Sequence, residues 1–227
     1  YLSLLTEQQL ESRVAGICRE TDNLVMTYCS SQNIDRLVTL YRAAKRTGRL
    51  CAVDIYTAHI LAAVAGHARV PVPGRAFPDM RVYYPKRLSQ HVADSGHKEL
   101  LYQFQPSRIS TEEIREKRDT VLMVIRPSIQ SKLGAIGTLS GAALVYSLWP
   151  GYLKQPYTRD FVRWLEHQGV TTHMVHTSGH ATPATLKDVI DTLEPKVVVP
   201  MHGEQPHQFR SIARDVMIVE DGISYSV

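Results

Sequence analysis

NLVMTYCSSQNIDRLVTLYRAAKRTGRLCAVDI, residues 23–55, decides the fold class. Its opening segment, Asn23–Cys29, is apolar without alternation, the pattern of a strand covered on both faces. Ser30-Ser31-Gln32-Asn33 is a small polar loop. Ile34, Leu37, Val38 and Tyr41 then recur at helical spacing, and Gly48 ends that helix. Leu50–Ile55 is the next apolar strand. Strand, loop, helix, strand is a βαβ unit and implies parallel strands joined by a crossover. Ligands of such sheets sit at the carboxyl ends of strands. Ser30, Ser31 and Asn33 therefore fall on one candidate rim and Asp54 on another.

The flanks extend the pattern. Thr6 and Gln9 have capping-box spacing ahead of a helix over 6–20, whose Leu10, Val14 and Ile17 share a face. Residues 70–88 hold four prolines and read as an irregular excursion with a strand at Met80–Tyr84. Residues 95–118 read as charged helix. Strands are expected at Thr120–Ile125, Gly141–Ser147 and Val170–Val175, with a helix at Thr158–His167 between the last two. Arg126-Pro127-Ser128 stands at one carboxyl end. Asp215–Val219 and Ile223–Val227 suggest a hairpin around Asp221-Gly222.

Composition sets bounds. With 227 residues, 44% hydrophobic and 21% charged, the chain is of ordinary globular type. No apolar run is long enough to span a membrane, and the first residues lack the basic start of a signal peptide. The formal net charge of +4 permits contact with a polyanion. The basic clusters Arg42-Lys45-Arg46-Arg49 and Arg115-Lys117-Arg118 read, each alone, as solvated helix faces. Cys18, Cys29 and Cys51 form no CxxC pair, and the simple reading is buried thiols in a reducing cytoplasm.

The chemistry is concentrated in HTSGHATPATLKDVIDTLEPKVVVPMHGEQPH, residues 176–207. It reads as loop, helix, strand, loop. Thr182 caps the helix and Pro183 fits its first turn. Leu186, Val189, Ile190 and Leu193 form its apolar stripe, and Lys196–Val199 reads as a buried strand. If helix and strand pack together, His180 and His202 come close. A lone histidine is more often a core or surface residue than a ligand. His202 is read the other way, because it follows a strand between Pro200 and Gly203 and precedes Glu204. His180 is too, because Ser178-Gly179 gives it a bare backbone approach.

Ser178-Gly179-His180-Ala181, then a helix, then Val199-Pro200-Met201-His202-Gly203-Glu204, resembles the closing half of the metallo-β-lactamase fold in its β-CASP branch. That branch includes the RNase J nucleases and the mRNA 3′-end cleavage endonucleases. Upstream, Asn33-Ile34-Asp35-Arg36 and Val145-Tyr146-Ser147-Leu148-Trp149-Pro150-Gly151 are similar to segments of the inserted β-CASP domain. The resemblance implies an α/β fold: a parallel-sheet β-CASP-like domain over 1–174, then the C-terminal part of a metallo-β-lactamase αββα domain over 175–227. It implies that His202 is a zinc ligand and His180 a catalytic residue beside the scissile phosphate. Ser178 and Gly179 would line that pocket, while Ser31, Asn33 and Arg36 would face the nucleic acid.

The family's H-x-H-x-D-H motif is absent from this sequence. The expectation is a fragment that starts after the missing half, inactive alone, with two zinc ions in the intact protein. RNA is the expected partner, with DNA as second choice and no membrane. Self-association or association with the missing half would cover its apolar face. Two other readings stay open: a non-catalytic module binding nucleic acid or protein, and a hydrolase of the same fold for a small ester or amide.

Overall fold

The computed structural model describes residues 5–177, 181–201, 203 and 205–225. The chain divides into two compact units, the first running through Thr177 and the second from residue 178 onward.

In the first unit, α1 (Glu7–Glu20) starts with the expected capping box: Thr6 accepts from the Gln9 N–H, and the Gln9 side chain reaches back to the Thr6 N–H. β1 (Val25–Tyr28), α2 (Ile34–Arg46) and β2 (Leu50–Asp54) follow as the βαβ reading requires. Next come α3 (Ile55–Val64), β3 (Met80–Tyr83) and the short helices α4 (Lys86–Asp94), α5 (Glu99–Tyr102) and α6 (Thr111–Glu116). β4 (Val121–Val124), α7 (Gln130–Leu133), β5 (Ala143–Tyr146), α8 (Pro156–His167) and β6 (Thr171–Met174) complete the unit. The charged stretch 95–118 is therefore not one helix. Pro106 sits in a single 3-10 turn, Gln105–Ser107, and Ser110 opens a new helix with its own capping box on Glu113.

All six strands are parallel, in the order β3-β2-β4-β1-β5-β6. The α/β expectation is borne out. β1 is central, with Val25 opposite both Leu122 and Ala143. Successive residues feed opposite cores, which is why these strands lack polar alternation. Val25, Val53, Val124 and Val145 pack with α1, α2 and α3 on one face. Met26, Met123, Leu144 and Tyr146 pack with Ile114, Leu133, Phe161 and Leu165 on the other. All three cysteines are buried and free.

The connections also use both faces. β1 reaches β2 through α2, on the first face. β4 reaches β5 through turns whose Ile129, Leu133 and Ile136 lie on the second. Since β1 and β4 are neighbours, the chain leaves their carboxyl ends in opposite directions. That is a topological switch point, where open α/β sheets form a crevice.

In the second unit, α9 (Pro183–Leu193) is capped by Thr182, whose Oγ1 accepts from the Thr185 N–H at 3.0 Å. Its apolar stripe is poorly covered: Leu186 and Ile190 are half-buried, while Val189 and Leu193 are exposed. Two expectations fail here. Lys196–Val199 is no doubly buried strand, because Lys196 is exposed and only Val198 makes a bridge, parallel to Val216. The terminal hairpin is absent among the described residues. The Asp215 carbonyl accepts from Val198 N–H (2.8 Å) and Met217 N–H donates to the Val198 carbonyl (3.0 Å), so this segment pairs backward rather than with 223–225.

Arg49 corrects the reading of its cluster as a solvated face. It is buried, and its guanidinium donates to the carbonyls of Cys18, Thr21, Asn23 and Val121. It thus ties the end of α1 to the starts of β1 and β4. Arg49→Met would leave four buried carbonyls without that donor and should cost about 3–5 kcal/mol. The readout is the urea midpoint at unchanged slope. Arg49→Lys keeps the charge without the fork and should recover only part of the loss.

Candidate functional site

Two polar groups stand at the carboxyl edge of the first unit. In the first, Asp54 ends β2 and caps α3: its Oδ1 accepts from the Thr57 N–H at 2.7 Å and from Thr57 Oγ1 at 2.6 Å. Thr57 Oγ1 lies 2.6 Å from Ser31 Oγ in the loop after β1. Arg126, just past β4, joins the three strand ends. Its Nε is 2.7 Å from Asp54 Oδ2, and its Nη2 donates to Ser31 Oγ. The Nε–H is not aligned for a hydrogen bond, so the Asp54 contact is mainly a charge pairing. The guanidinium also lies 4.9 Å over the exposed ring of Tyr56.

The second group surrounds Arg36. This side chain is completely buried. Its Nη2 and Nε donate to Glu7 at 2.9 and 3.3 Å, and its Nη1 donates to Ser147 Oγ and, at 3.4 Å, to the Val175 carbonyl. Thr39 Oγ1 donates to Glu7 at 2.6 Å. Burial pushes the Glu7 carboxyl up, but hydrogen bonds from Arg36 and Thr39, with the Arg36 charge, hold it below the ordinary range. His176 is lowered by burial and by the Arg36 charge, against the Ser147 backbone and Glu7. Its buried Nδ1 has no partner among the described residues.

The expected site residues now have places. Arg36 does not face a ligand: its donors are spent inside the fold, because its i+4 and i+7 neighbours Leu40 and Ala43 are core residues. Ser31 is buried within the Arg126 group. Asn33 is exposed but caps α2, accepting from the Arg36 N–H at 3.1 Å. Ser178, Gly179, His180 and His202, as well as Glu204, lie outside the described residues. Sequence reasoning noted Asp54 and Arg126 as strand-end residues without joining them, and missed Glu7, Tyr56 and Thr57. A cation directly after a doubly buried strand was the available signal for Arg126.

The described residues contain no group of three or more histidine, cysteine or acidic side chains able to hold a metal. Burial raises the Cys29 and Cys51 thiols to about 12, which unfits them as thiolate ligands near neutral pH. On these residues alone zinc does not fit, and any zinc would take its ligands from outside them. No helix among the described residues is long and apolar enough to cross a membrane.

Along the same edge, past β5, Trp149 is 56% exposed. Its ring lies across Gly151, where an added Cβ would come within 2.2 Å of it, and makes an edge-to-face contact with Tyr152 at 5.6 Å.

The fold is an open parallel α/β unit with a crevice at the carboxyl ends of its strands. The comparisons agree with the fold and add a chemistry. Residues 161–214 match the family model described as a Zn-dependent metallo-hydrolase RNA specificity domain, which supports the metallo-β-lactamase superfamily. A crystal structure of a protein of unknown function from Enterococcus faecalis V583 is 17% identical with a TM-score of 0.71. The alignment covers 98% of this chain and 46% of that one, so this chain spans just under half of that protein's length. At this identity the likeness shows the fold alone. No curated protein matches.

Two measurements check the site. Asp54→Ala removes the cap and the Arg126 partner together and should cost about 2–4 kcal/mol by urea unfolding, while Asp54→Asn keeps the cap and isolates the charge contribution. For Glu7, a lowered folded pKa means stability present above the unfolded carboxylate pKa and lost as pH falls through the folded one. Glu7→Gln should therefore destabilise at neutral pH, and its deficit should shrink once the pH drops below about 4.

Proposed function

We propose that this chain contributes RNA recognition and part of the active site to a zinc-dependent phosphodiesterase of ribonuclease type. The observation that carries the reading is the match of residues 161–214 to a metallo-hydrolase RNA specificity domain. In this reading residues 1–174 are a β-CASP-like domain and 175–227 the closing segment of a metallo-β-lactamase domain. His202 is a zinc ligand, His180 protonates or steadies the leaving oxygen, and Ser178 and Gly179 line the phosphate pocket. When bound, zinc supplies an activated water. Asn33 stands on the rim toward the nucleic acid, Ser31 acts from behind it by holding Arg126, and Arg36 holds the chain ahead of Ser178 through the Val175 carbonyl. Hydrolysis belongs to the protein that carries H-x-H-x-D-H ligands together with this chain.

A second reading, a module that binds nucleic acid without cleaving it, rests on the exposed cations Lys86, Arg87 and Lys132 beside the strand ends. One experiment separates the two. This chain is co-expressed with a segment bearing the H-x-H-x-D-H motif, and a labelled single-stranded RNA is assayed with and without chelator. The nuclease reading expects chelator-sensitive cleavage, reduced about 10²- to 10⁴-fold by His180→Ala. Salt-dependent binding without cleavage, unchanged by replacing His180 and His202, would establish the module instead. A DNA strand of the same sequence reports polymer preference.

A further inference from the structure

A cleft of about 820 Å³ opens beside the Asp54–Arg126 pair, and its walls are unusually cationic. Lys86, Arg87, Arg126 and Lys132 line it, and its one carboxylate, Asp54, is already paired with Arg126. Lys86, Arg87 and Lys132 have no carboxylate partner among the described residues. Like charges gathered in a concave wall focus a positive potential that favours an entering anion.

Two further features of the wall suit an anion. The N-cap Pro85 and the first turn of α4, Lys86–Leu88, form part of it, and no side chain caps that helix, so the N–H groups of that turn point outward without a capping partner. Tyr56, beneath the Arg126 guanidinium, is exposed at the cleft and offers a ring for a flat, aromatic group. Lys86 and Lys132 also line a smaller adjoining hollow with Arg108 and a single carboxylate, Glu112, so that cations still outnumber acids there. The cationic surface thus continues past a single anion's width, as a polymer with regularly spaced charges would use it.

We infer that this cleft is a phosphate-binding site, which holds successive backbone phosphates of single-stranded RNA while Tyr56 stacks on a base. Lysines and arginines at such a site act by releasing counterions, and aromatic stacking adds sequence-tolerant affinity. The assignment rests on the RNA reading above for the polymer, and on the cleft itself for the phosphate.

The test uses the full chain and a short, dye-labelled single-stranded RNA, followed by fluorescence anisotropy across a salt series. AMP and inorganic phosphate are titrated separately by calorimetry. The variant Lys86→Gln/Arg87→Gln/Lys132→Gln changes exposed side chains only and should melt as the wild type does. It should weaken RNA binding at least about 10-fold and flatten the salt slope by about 2. A charge-matched control, Arg13→Gln/Arg19→Gln/Lys45→Gln, alters exposed cations on α1 and α2 and should stay within about 2-fold. If the wild type binds RNA and the cleft variant binds equally well, the cleft assignment is overturned while the RNA reading stands. If RNA does not bind but AMP or phosphate does, and only with the cleft intact, the phosphate site stands and the RNA reading fails. If none of the three binds, the assignment is wrong.

Discussion

Arg126 bridges a gap that the strand order creates. β4 lies between β1 and β2, so Ser31 and Asp54, joined in sequence through α2, end up on either side of it. A single side chain from the middle strand must satisfy both neighbours. A guanidinium can, because its planar fork presents donors in several directions at once, whereas an ammonium acts as a point charge. Ser31, Thr57, Asp54 and the ring of Tyr56 are all held against that one group. The carboxyl edge is therefore pre-formed on three strand ends rather than left to loop mobility, and the cationic cleft inherits its fixed wall from the same contact.

The Arg36 group does comparable work on the other side of β1. Burying a guanidinium is costly unless its charge and donors are both answered. Glu7 answers the charge and Ser147 and Val175 the rest, bringing α1, α2 and the ends of β5 and β6 together. Val175 is three residues ahead of Ser178. The residue that sequence resemblance assigned to the substrate thus acts on the backbone at the root of the loop.

What could be read in advance follows from the range of each physical signal. Strands covered on both faces are written locally, as in Val121–Val124 or Leu50–Asp54, and so is a capping box such as Thr6–Gln9. Partners remote in sequence are not. Nothing near Arg36 announces Glu7, 29 positions away, and nothing near Arg49 announces the carbonyls of Asn23 and Val121. Arg49 was read as solvated, and Arg36 was assigned to the nucleic acid although its i+4 spacing to Leu40 placed it on the buried face. The second unit fails differently. Its Asp221-Gly222 turn is a sound local signal, but Val198 competes for the same backbone, and the competitor lies too far off to be seen.

The chain has two tryptophans, and they occupy contrasting surroundings. Trp164 is half-buried, stacked on Phe161 at 6.3 Å with the rings 12° from parallel. Trp149 is spread over Gly151 on the edge where the strands end, open to solvent. Their intrinsic emission should accordingly separate into a more shielded and a water-exposed component, of which the latter is the more readily reached by a soluble quencher such as acrylamide. Gly151 makes that possible, since any larger residue there would push the indole out of its place. The molecule carries its own optical probe on the surface where it is expected to meet its ligand, and needs no attached dye to report an arrival.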